Sequence, residues 1–133
     1  MYLRKFAALV ACLVMFSANA AQAGIEVWAV VDNQTSSAVS LGGSATRGAF
    51  TYVPLSSIAA STRIGASATW TFGFYEEGYL TYGVCSIDWD IELGYYTMYS
   101  DVYAYGNGCT ARILSEIPTG PYSAIVVVEL TIT

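Results

Sequence analysis

The feature that most constrains the fold of this chain is a period-two alternation of apolar and polar residues in several short segments. Between residues 25 and 32, the apolar residues on one face are Ile25, Val27, Ala29 and Val31. Near the end of the chain they are Ala124, Val126, Val128, Leu130 and Ile132. Successive side chains of a β-strand point to opposite faces, so both segments predict strands with one buried face.

The middle of the chain predicts further strands. Residues 67–75 alternate between Ala or aromatic positions and Ser or Thr positions, and the EEG sequence at 76–78 predicts the turn that follows. In the returning run, residues 79–92, the apolar positions change from even to odd numbers near Cys85 and Ser86. One extra residue at that point, a β-bulge, would reconcile the two halves.

Turn-forming residues mark the other boundaries. Gly94 precedes a tyrosine-rich segment, GNG at 106–108 predicts a hairpin because Asn-Gly favours hairpin turns, and PTGP at 118–121 predicts the last turn. Residues 38–64 are ambiguous. Short alternating strands at this spacing predict an all-β fold, a single-domain antiparallel β-sandwich.

Residues 1–23 have the features of a secretory signal peptide. MYLRK carries two positive charges, an apolar run follows, and SANA and AQA both offer a small-x-small cleavage pattern. Cleavage after Ala23 would leave residues 24–133 as the β-sandwich domain and, by removing Arg4 and Lys5, would change the formal charge from −5 to −7. We therefore expect a secreted protein, whether extracellular, periplasmic or on the cell surface. Nucleic acid is not an expected partner, because phosphate binding needs clustered cations.

The residue types missing after the leader exclude most catalytic chemistry. Residues 24–133 contain no histidine and no lysine, which rules out Ser-His-Asp and Cys-His systems, histidine-ligated zinc and Schiff-base lysines. Paired carboxylates could hydrolyse a glycosidic bond without histidine, and the candidates are Glu76, Glu77, Asp88 and Asp90. Because no cleft is evident in so short a chain, we expect a protein that is not an enzyme and has no cofactor.

Cys85 and Cys109 are the only cysteines after the leader. In an exported chain a single pair is expected to form a disulfide. The loop of about 25 residues would make this bond worth roughly 3 kcal/mol in the chain-entropy model. The alternative, a reactive thiol pair, lacks the C-x-x-C spacing and the positive charge that stabilise a thiolate.

The segment at residues 95–105, YYTMYSDVYAY, has tyrosine at five of eleven positions. If it forms one regular strand, the core-facing residues are Tyr96, Met98, Val102 and Ala104. The opposite face carries the candidate ligand-binding residues, which are Tyr95, Tyr99, Asp101, Tyr103 and Tyr105. Phenol rings combine apolar area with a polar tip, so this face suits a glycan, a lipid headgroup or a protein partner. Rings backed by carboxylates also suit a cation such as choline.

A purely structural role for these tyrosines is the alternative, because tyrosine favours strands and aromatic pairs stabilise sheets. The neighbouring acidic stripe of Asp88, Asp90 and Glu92 has the oxygen chemistry of a calcium site. Alternate strand residues lie about 7 Å apart, which is too far for one ion without loop ligands. A solvated acidic face is therefore expected there, with no metal.

Three segments of the chain resemble the aegerolysins and related small β-sandwich proteins. They are DNQTSSAVSL from residue 32, RGAFTYVPLSSI from residue 47 and GYLTYGVCSIDWDI from residue 78. The resemblance implies an acidic single-domain sandwich that recognises membrane lipids through exposed aromatic residues. In some aegerolysins a larger pore-forming protein is recruited, so the resemblance also implies a larger protein partner.

The end of the chain, IPTGPYSAIVVVELTIT at residues 117–133, is similar to the closing turn and strand of spore-coat-protein-U-like and other chaperone–usher pilus subunits. Those subunits assemble by donating a strand to a neighbour's incomplete sheet, which implies self-assembly. IEVWAVV at residues 25–31 is the candidate donor segment.

These features lead to one functional prediction and one alternative. The chain is expected to be an exported, non-enzymatic protein that binds a lipid or glycan surface through its tyrosine-rich strand. Assembly into a surface fibre is the alternative. In addition, NQT at residues 33–35 is an acceptor sequence for a glycan in any host that modifies secreted chains at this motif.

Overall fold

The computed structural model describes residues 23–95 and 97–133, and these residues form an all-β protein of ten strands. In chain order the strands are β1 Gly24–Asn33, β2 Val39–Thr46, β3 Ala49–Tyr52, β4 Ser57–Ile58, β5 Thr62–Phe72, β6 Tyr75–Tyr82, β7 Cys85–Leu93, β8 Met98–Tyr105, β9 Cys109–Gly120 and β10 Ser123–Ile132. Among the described residues, no helix is long and apolar enough to cross a membrane.

The strands form two five-stranded sheets that pack face to face. Sheet A has the order β3-β5-β1-β10-β9, and sheet B has the order β4-β2-β6-β7-β8. The predicted β-sandwich is therefore confirmed. Neighbouring strands are antiparallel with one exception, which is the parallel pair of β1 and β10 in sheet A.

The hydrophobic core lies between the sheets and is filled by alternate side chains. Sheet A contributes the inward residues of β1 and β10 that the alternation predicts, including Val27 and Val128. Sheet B contributes Leu80, Trp89 and Ile91, which are also buried. Burial of this apolar surface, at about 25 cal/mol per Å², is the main force that holds the two sheets together.

Glu76 lies in this core although it carries a carboxylate. Its Oε2 accepts hydrogen bonds from the hydroxyls of Thr46 (2.7 Å) and Thr69 (2.9 Å) and from the indole N–H of Trp89 (3.2 Å). Thr69 belongs to sheet A, whereas Thr46, Glu76 and Trp89 belong to sheet B. These donors compensate for burying the carboxylate and connect the two sheets.

The turn predicted at residues 76–78 is wrong. β5 ends at Phe72 and β6 begins at Tyr75, so the chain reverses at Gly73 and Phe74. Gly73 has a φ of 112°, which side-chain-bearing residues rarely adopt. The polar composition of residues 76–78 suggested a turn, but Glu76 finds its partners inside the protein.

The β-bulge predicted at Cys85 and Ser86 is also wrong. Residues 79–92 contain parts of two strands, and Gly83 and Val84 form a two-residue turn between them. Tyr82 pairs directly with Cys85 across this turn. A two-residue turn shifts the apolar positions from even to odd numbers, which is the change that the bulge was meant to explain.

The GNG sequence at residues 106–108 forms a turn, but it does not join a hairpin. β8 is the edge strand of sheet B and β9 is the edge strand of sheet A, so the chain crosses from one sheet to the other. The disulfide between Cys85 and Cys109 joins the first residues of β7 and β9, with Cα atoms 5.6 Å apart. The predicted disulfide is confirmed, and it links the sheets. Such a bond fits an oxidising compartment.

Asn33, the acceptor of the NQT motif, is fully buried at the end of β1. Its amide nitrogen donates hydrogen bonds to the carbonyl oxygens of Ser37 (2.9 Å), Ile58 (3.3 Å) and Ala59 (3.1 Å). Its Oδ1 accepts hydrogen bonds from the backbone amide and the hydroxyl of Thr35. A glycan on this amide would break these bonds, so Asn33 has a structural role in the folded domain.

Candidate functional site

Three neighbouring strands of sheet B build a surface from their outward-facing side chains. These are the odd-numbered residues of β6 and β8 and the even-numbered residues of β7. We call the surface the tyrosine–carboxylate face, and its members are Tyr75, Glu77, Tyr79, Asp88, Asp90, Glu92, Tyr99, Asp101, Tyr103 and Tyr105.

The strand register arranges this face in rows that run across the three strands. The rows are Tyr75, Glu92 and Tyr99; then Glu77, Asp90 and Asp101; then Tyr79, Asp88 and Tyr103. Successive rows lie about 7 Å apart, and neighbouring strands lie about 4.8 Å apart. A row of three carboxylates is therefore flanked on both sides by rows in which two tyrosines enclose one carboxylate.

Asp101 organises the β8 side of the face. Its Oδ2 accepts hydrogen bonds from the hydroxyls of Tyr103 (2.6 Å) and Tyr99 (3.1 Å), and its Oδ1 accepts one from the amide of Val102 (3.1 Å). The Tyr103 hydroxyl, with smaller effects from Tyr99 and Val102, lowers the pKa of Asp101 by stabilising its ionised form. The same carboxylate raises the pKa of Tyr103 to about 12 and also raises that of Tyr99. Both phenols therefore remain neutral donors at ordinary pH, with their hydroxyls held at Asp101.

On the β6 side, Tyr75 contacts charges of both signs. Its hydroxyl donates a hydrogen bond to Oε2 of Glu77 (2.9 Å), and the guanidinium carbon of Arg47 lies 5.1 Å from the centre of its ring. The carboxylates of Asp90 and Glu77 raise the pKa of Tyr75 because they disfavour a phenolate beside them. On β7, burial raises the pKa of Asp88.

The charges on this face are strongly unbalanced. The face carries five carboxylates, and Arg47 lies at its edge. The other two arginines of the described residues, Arg63 and Arg112, are paired with Glu129 on sheet A at 2.6 and 2.8 Å. The resulting negative potential attracts cations and repels anions.

A hollow of about 570 Å³ opens on the face, a volume within the range of small-molecule sites. Ala45 and Gly78 line it with little or no side chain, and Tyr79, Tyr103 and Tyr105 line it with rings. The hollow thus combines room for a ligand with aromatic surface and carboxylate acceptors.

Four of the five predicted binding residues lie together on this face. Tyr99, Asp101, Tyr103 and Tyr105 share the outer side of β8. The three tyrosines are 62%, 47% and 55% exposed, in that order, as their parity predicts.

The fifth predicted residue, Tyr95, lies elsewhere. β8 begins at Met98, so Tyr95 belongs to the segment between β7 and β8 and not to the strand. Its ring packs edge-on against Tyr122 with centroids 5.4 Å apart. Tyr96, predicted to be buried, lies outside the described residues.

Sequence reasoning missed the contribution of β6. Tyr75, Glu77 and Tyr79 alternate just as the tyrosines of β8 do, but assigning residues 76–78 to a turn removed them from the sheet. The alternation of these residues could have identified the strand. Placing the turn at Gly73 would have predicted that Tyr75, Glu77 and Tyr79 lie on one face of it.

The described residues contain no preformed metal site. No group of three or more acidic or cysteine side chains there has the geometry to hold an ion. Glu77 and Asp101 accept hydrogen bonds from tyrosines, and the row that they form with Asp90 is spread over three strands. Of the four candidate carboxylates for glycoside hydrolysis, Glu76 faces the core, whereas Glu77, Asp88 and Asp90 lie on the outer face of sheet B.

No known family model matches the sequence, and no curated protein is significantly similar to it.

Proposed function

We propose that the protein is an exported, non-enzymatic binding protein that recognises a lipid headgroup or a glycan through the tyrosine–carboxylate face. The observation that carries this proposal is the exposure of Tyr99, Tyr103 and Tyr105 along one strand. Large aromatic side chains that are exposed together are typical of interaction surfaces.

The chemistry of the face suits both ligand classes for one reason. The tyrosine rings offer flat apolar surface to the C–H face of a sugar ring or to the methyl groups of a choline headgroup. The carboxylates can accept hydrogen bonds from sugar hydroxyls or stabilise the positive charge of choline. Rows about 7 Å apart match the span of one sugar ring or one headgroup.

The test replaces Tyr99 and Tyr103 by Ala and measures binding of the purified protein to lipid and glycan arrays. We expect binding to weaken by at least about 1 kcal/mol per ring if the rings are binding hot spots. The free energy of unfolding should change by less than about 1 kcal/mol, since both rings lie on the surface. Tyr52→Ala is the matched control, because Tyr52 is an exposed tyrosine on sheet A.

Two outcomes would contradict the proposal. If the double variant keeps its stability and binds every lipid and glycan as the unmodified protein does, the tyrosines only cover the sheet. If it unfolds as readily as a variant of a core aromatic residue, the rings are structural.

Fibre assembly by strand donation, the alternative function, needs a strand that is available to another subunit. The candidate donor segment at residues 25–31 lies within β1, which pairs with β5 on one side and with β10 on the other. Donating it would open the middle of sheet A. This arrangement favours a self-contained binding domain, which should remain monomeric at high concentration.

A further inference from the structure

One end of the sandwich carries a second group of aromatic residues, separate from the tyrosine–carboxylate face. Phe72 ends β5, Phe74 lies in the turn before β6, Tyr95 follows β7, and Tyr122 lies half-buried in the turn between β9 and β10. We call these four residues the aromatic end. Phe72, Phe74 and Tyr95 are 72%, 55% and 52% exposed.

Direct contacts join three of these rings into one cluster. The ring of Tyr122 lies between those of Phe74 and Tyr95, with centroid distances of 4.6 and 5.4 Å. Tyr122 has a φ of 56°, in the left-handed region that residues other than glycine rarely adopt. Backbone hydrogen bonds fix the surrounding turns, from Leu93 N to Phe74 O at 2.8 Å and from Gly24 N to Tyr122 O at 3.0 Å. Backbone hydrogen bonds thus connect the turns that carry these rings to the neighbouring strands.

A small apolar cavity opens beside this cluster. Its volume is about 230 Å³, and its lining includes Leu93, Met98, Pro118 and Ala124 together with two rings of the aromatic end. Sites for whole small molecules start at about 300 Å³. The cavity therefore suits one aliphatic chain end better than a complete polar ligand.

The distribution of charged side chains indicates which kind of surface the aromatic end can bind. The described residues of the three turns, 73–74, 94–95, 97 and 121–122, include no charged side chain. The first row of the tyrosine–carboxylate face, with Glu92 at its centre, begins directly beyond them. The next row, which contains three carboxylates, lies about 7 Å further along the strands. Aromatic side chains with little charge are characteristic of the interfacial layer of a bilayer.

We propose that the aromatic end inserts into the interfacial layer of a zwitterionic lipid bilayer and that the apolar cavity accepts part of an acyl chain. The carboxylate row limits insertion to the depth of about 5–10 Å at which interfacial elements lie. At that depth the tyrosine–carboxylate face meets the headgroups, and its negative charge disfavours anionic lipids. This inference rests on the proposed function and narrows its ligand to a lipid surface.

The test measures cosedimentation of the purified protein with phosphatidylcholine vesicles, and with vesicles that also contain phosphatidylglycerol. The double variant Phe72→Ser/Phe74→Ser should lose at least about tenfold in vesicle affinity, since two large apolar side chains would no longer be withdrawn from water. Val84→Ser is the matched control, because Val84 is highly exposed in the β6–β7 turn at the opposite end of the sandwich. It should bind as the unmodified protein does. Vesicles that contain phosphatidylglycerol should bind the unmodified protein more weakly.

A depth measurement supplies a readout that altered folding would not imitate. Phe74→Trp should gain fluorescence that phosphatidylcholine brominated on its acyl chains quenches, whereas Val84→Trp should not. The inference is overturned if Phe72→Ser/Phe74→Ser binds vesicles as tightly as the unmodified protein, or if the tryptophan at position 74 is not quenched. It is equally overturned if anionic vesicles bind more tightly.

The same set of proteins separates this inference from the proposed function. Binding to glycans without binding to vesicles overturns the inference and leaves the proposed function intact. The same conclusion follows if Tyr99→Ala/Tyr103→Ala abolishes vesicle binding and Phe72→Ser/Phe74→Ser leaves it unchanged. In that case the inference is overturned and the proposed function remains intact. Vesicle binding that depends on the phenylalanines and not on Tyr99 or Tyr103 supports the aromatic end and contradicts the proposed binding face.

Discussion

At the scale of single residues, Asp101 shows how one carboxylate fixes two aromatic rings. Because both Tyr103 and Tyr99 donate to its Oδ2, the ionised form of Asp101 is stabilised in the folded protein. A carboxyl group whose pKa is lowered on folding contributes stability above its ordinary pKa and loses that contribution as the pH falls through the lowered value. Acidification should therefore weaken the hold of Asp101 on the two phenols only once the pH has fallen below the ordinary carboxyl pKa.

We predict that Tyr103→Phe raises the pKa of Asp101 towards its ordinary value of 3.8, because the strongest donor to the ionised carboxylate is lost. An NMR titration of the side-chain carboxyl carbon measures this directly. Tyr105→Phe is the control, since the hydroxyl of Tyr103, and not that of Tyr105, is bonded to Asp101. An unchanged pKa in Tyr103→Phe would show that the hydrogen bond is absent in solution.

The side chain of Asn33 makes five hydrogen bonds. We predict that Asn33→Ala lowers the free energy of unfolding by about 2–4 kcal/mol, because the buried carbonyl group of Ile58 and the partly buried one of Ala59 lose their donor. Urea denaturation measures the change. Asn107→Ala, in an exposed turn, should change stability by less than about 0.5 kcal/mol. Similar losses in the two variants would contradict a special role for Asn33.

The roles of Asn33 and Glu76 were beyond prediction from the sequence. Asn33 bonds to residues 25 and 26 positions away, and Glu76 bonds to Thr46, 30 positions away. Polar residues of these types usually lie on the surface. Only the tertiary fold shows that their partners are within reach.

At the scale of strands, Gly78 of β6 pairs with Trp89 of β7, and the absence of a side chain at Gly78 leaves room for the indole ring. A Cβ atom at Gly78 would overlap the indole ring of Trp89. We predict that Gly78→Ala lowers stability by about 1–3 kcal/mol through this overpacking. Thermal unfolding measures the effect. Gly43→Ala on β2 is the control, because its nearest neighbour, Tyr79, would lie at an ordinary contact distance of 3.5 Å.

Alternation correctly predicted the core-facing residues of β1 and β10 and the described ones of β8. It did not predict the faces of β5, where Thr69 and Thr71 lie on the core side with Val27 and Ile25, and Phe72 lies outside. It failed at β6, where an inward carboxylate breaks the apolar pattern, and at residues 83–84, where a short turn and a bulge produce the same shift. A local sequence pattern cannot distinguish a two-residue turn from a β-bulge, because the two differ in which strands pair.

At the scale of the whole molecule, the disulfide is a covalent cross-link between the two sheets. We predict that reduction lowers the free energy of unfolding by about 2–4 kcal/mol, because the unfolded chain gains freedom when the loop between Cys85 and Cys109 opens. Mass spectrometry before and after alkylation measures the thiol state, and denaturation with and without reductant measures the cost. Two free thiols in the native protein would contradict the bond.

The two-layer architecture was predictable from composition and alternation, but its connections were not. The parallel pairing of β1 with β10 depends on strands at opposite ends of the chain. The crossing at residues 106–108 depends on which sheet each edge strand joins. Turn propensities describe the reversal of the chain and carry no information about the sheet that it enters.

The pairing of β1 with β10 also determines when the protein can fold. Gly24 lies beside Ser123, so the strand that is synthesised first must wait for one that follows about 100 residues later. Closing so long a loop is slow, and folding rates fall as contacts become more distant in sequence. Before β10 arrives, β1 presents an unpaired edge that other chains can join. Sheet A is therefore expected to be completed only after β10 has been synthesised and released.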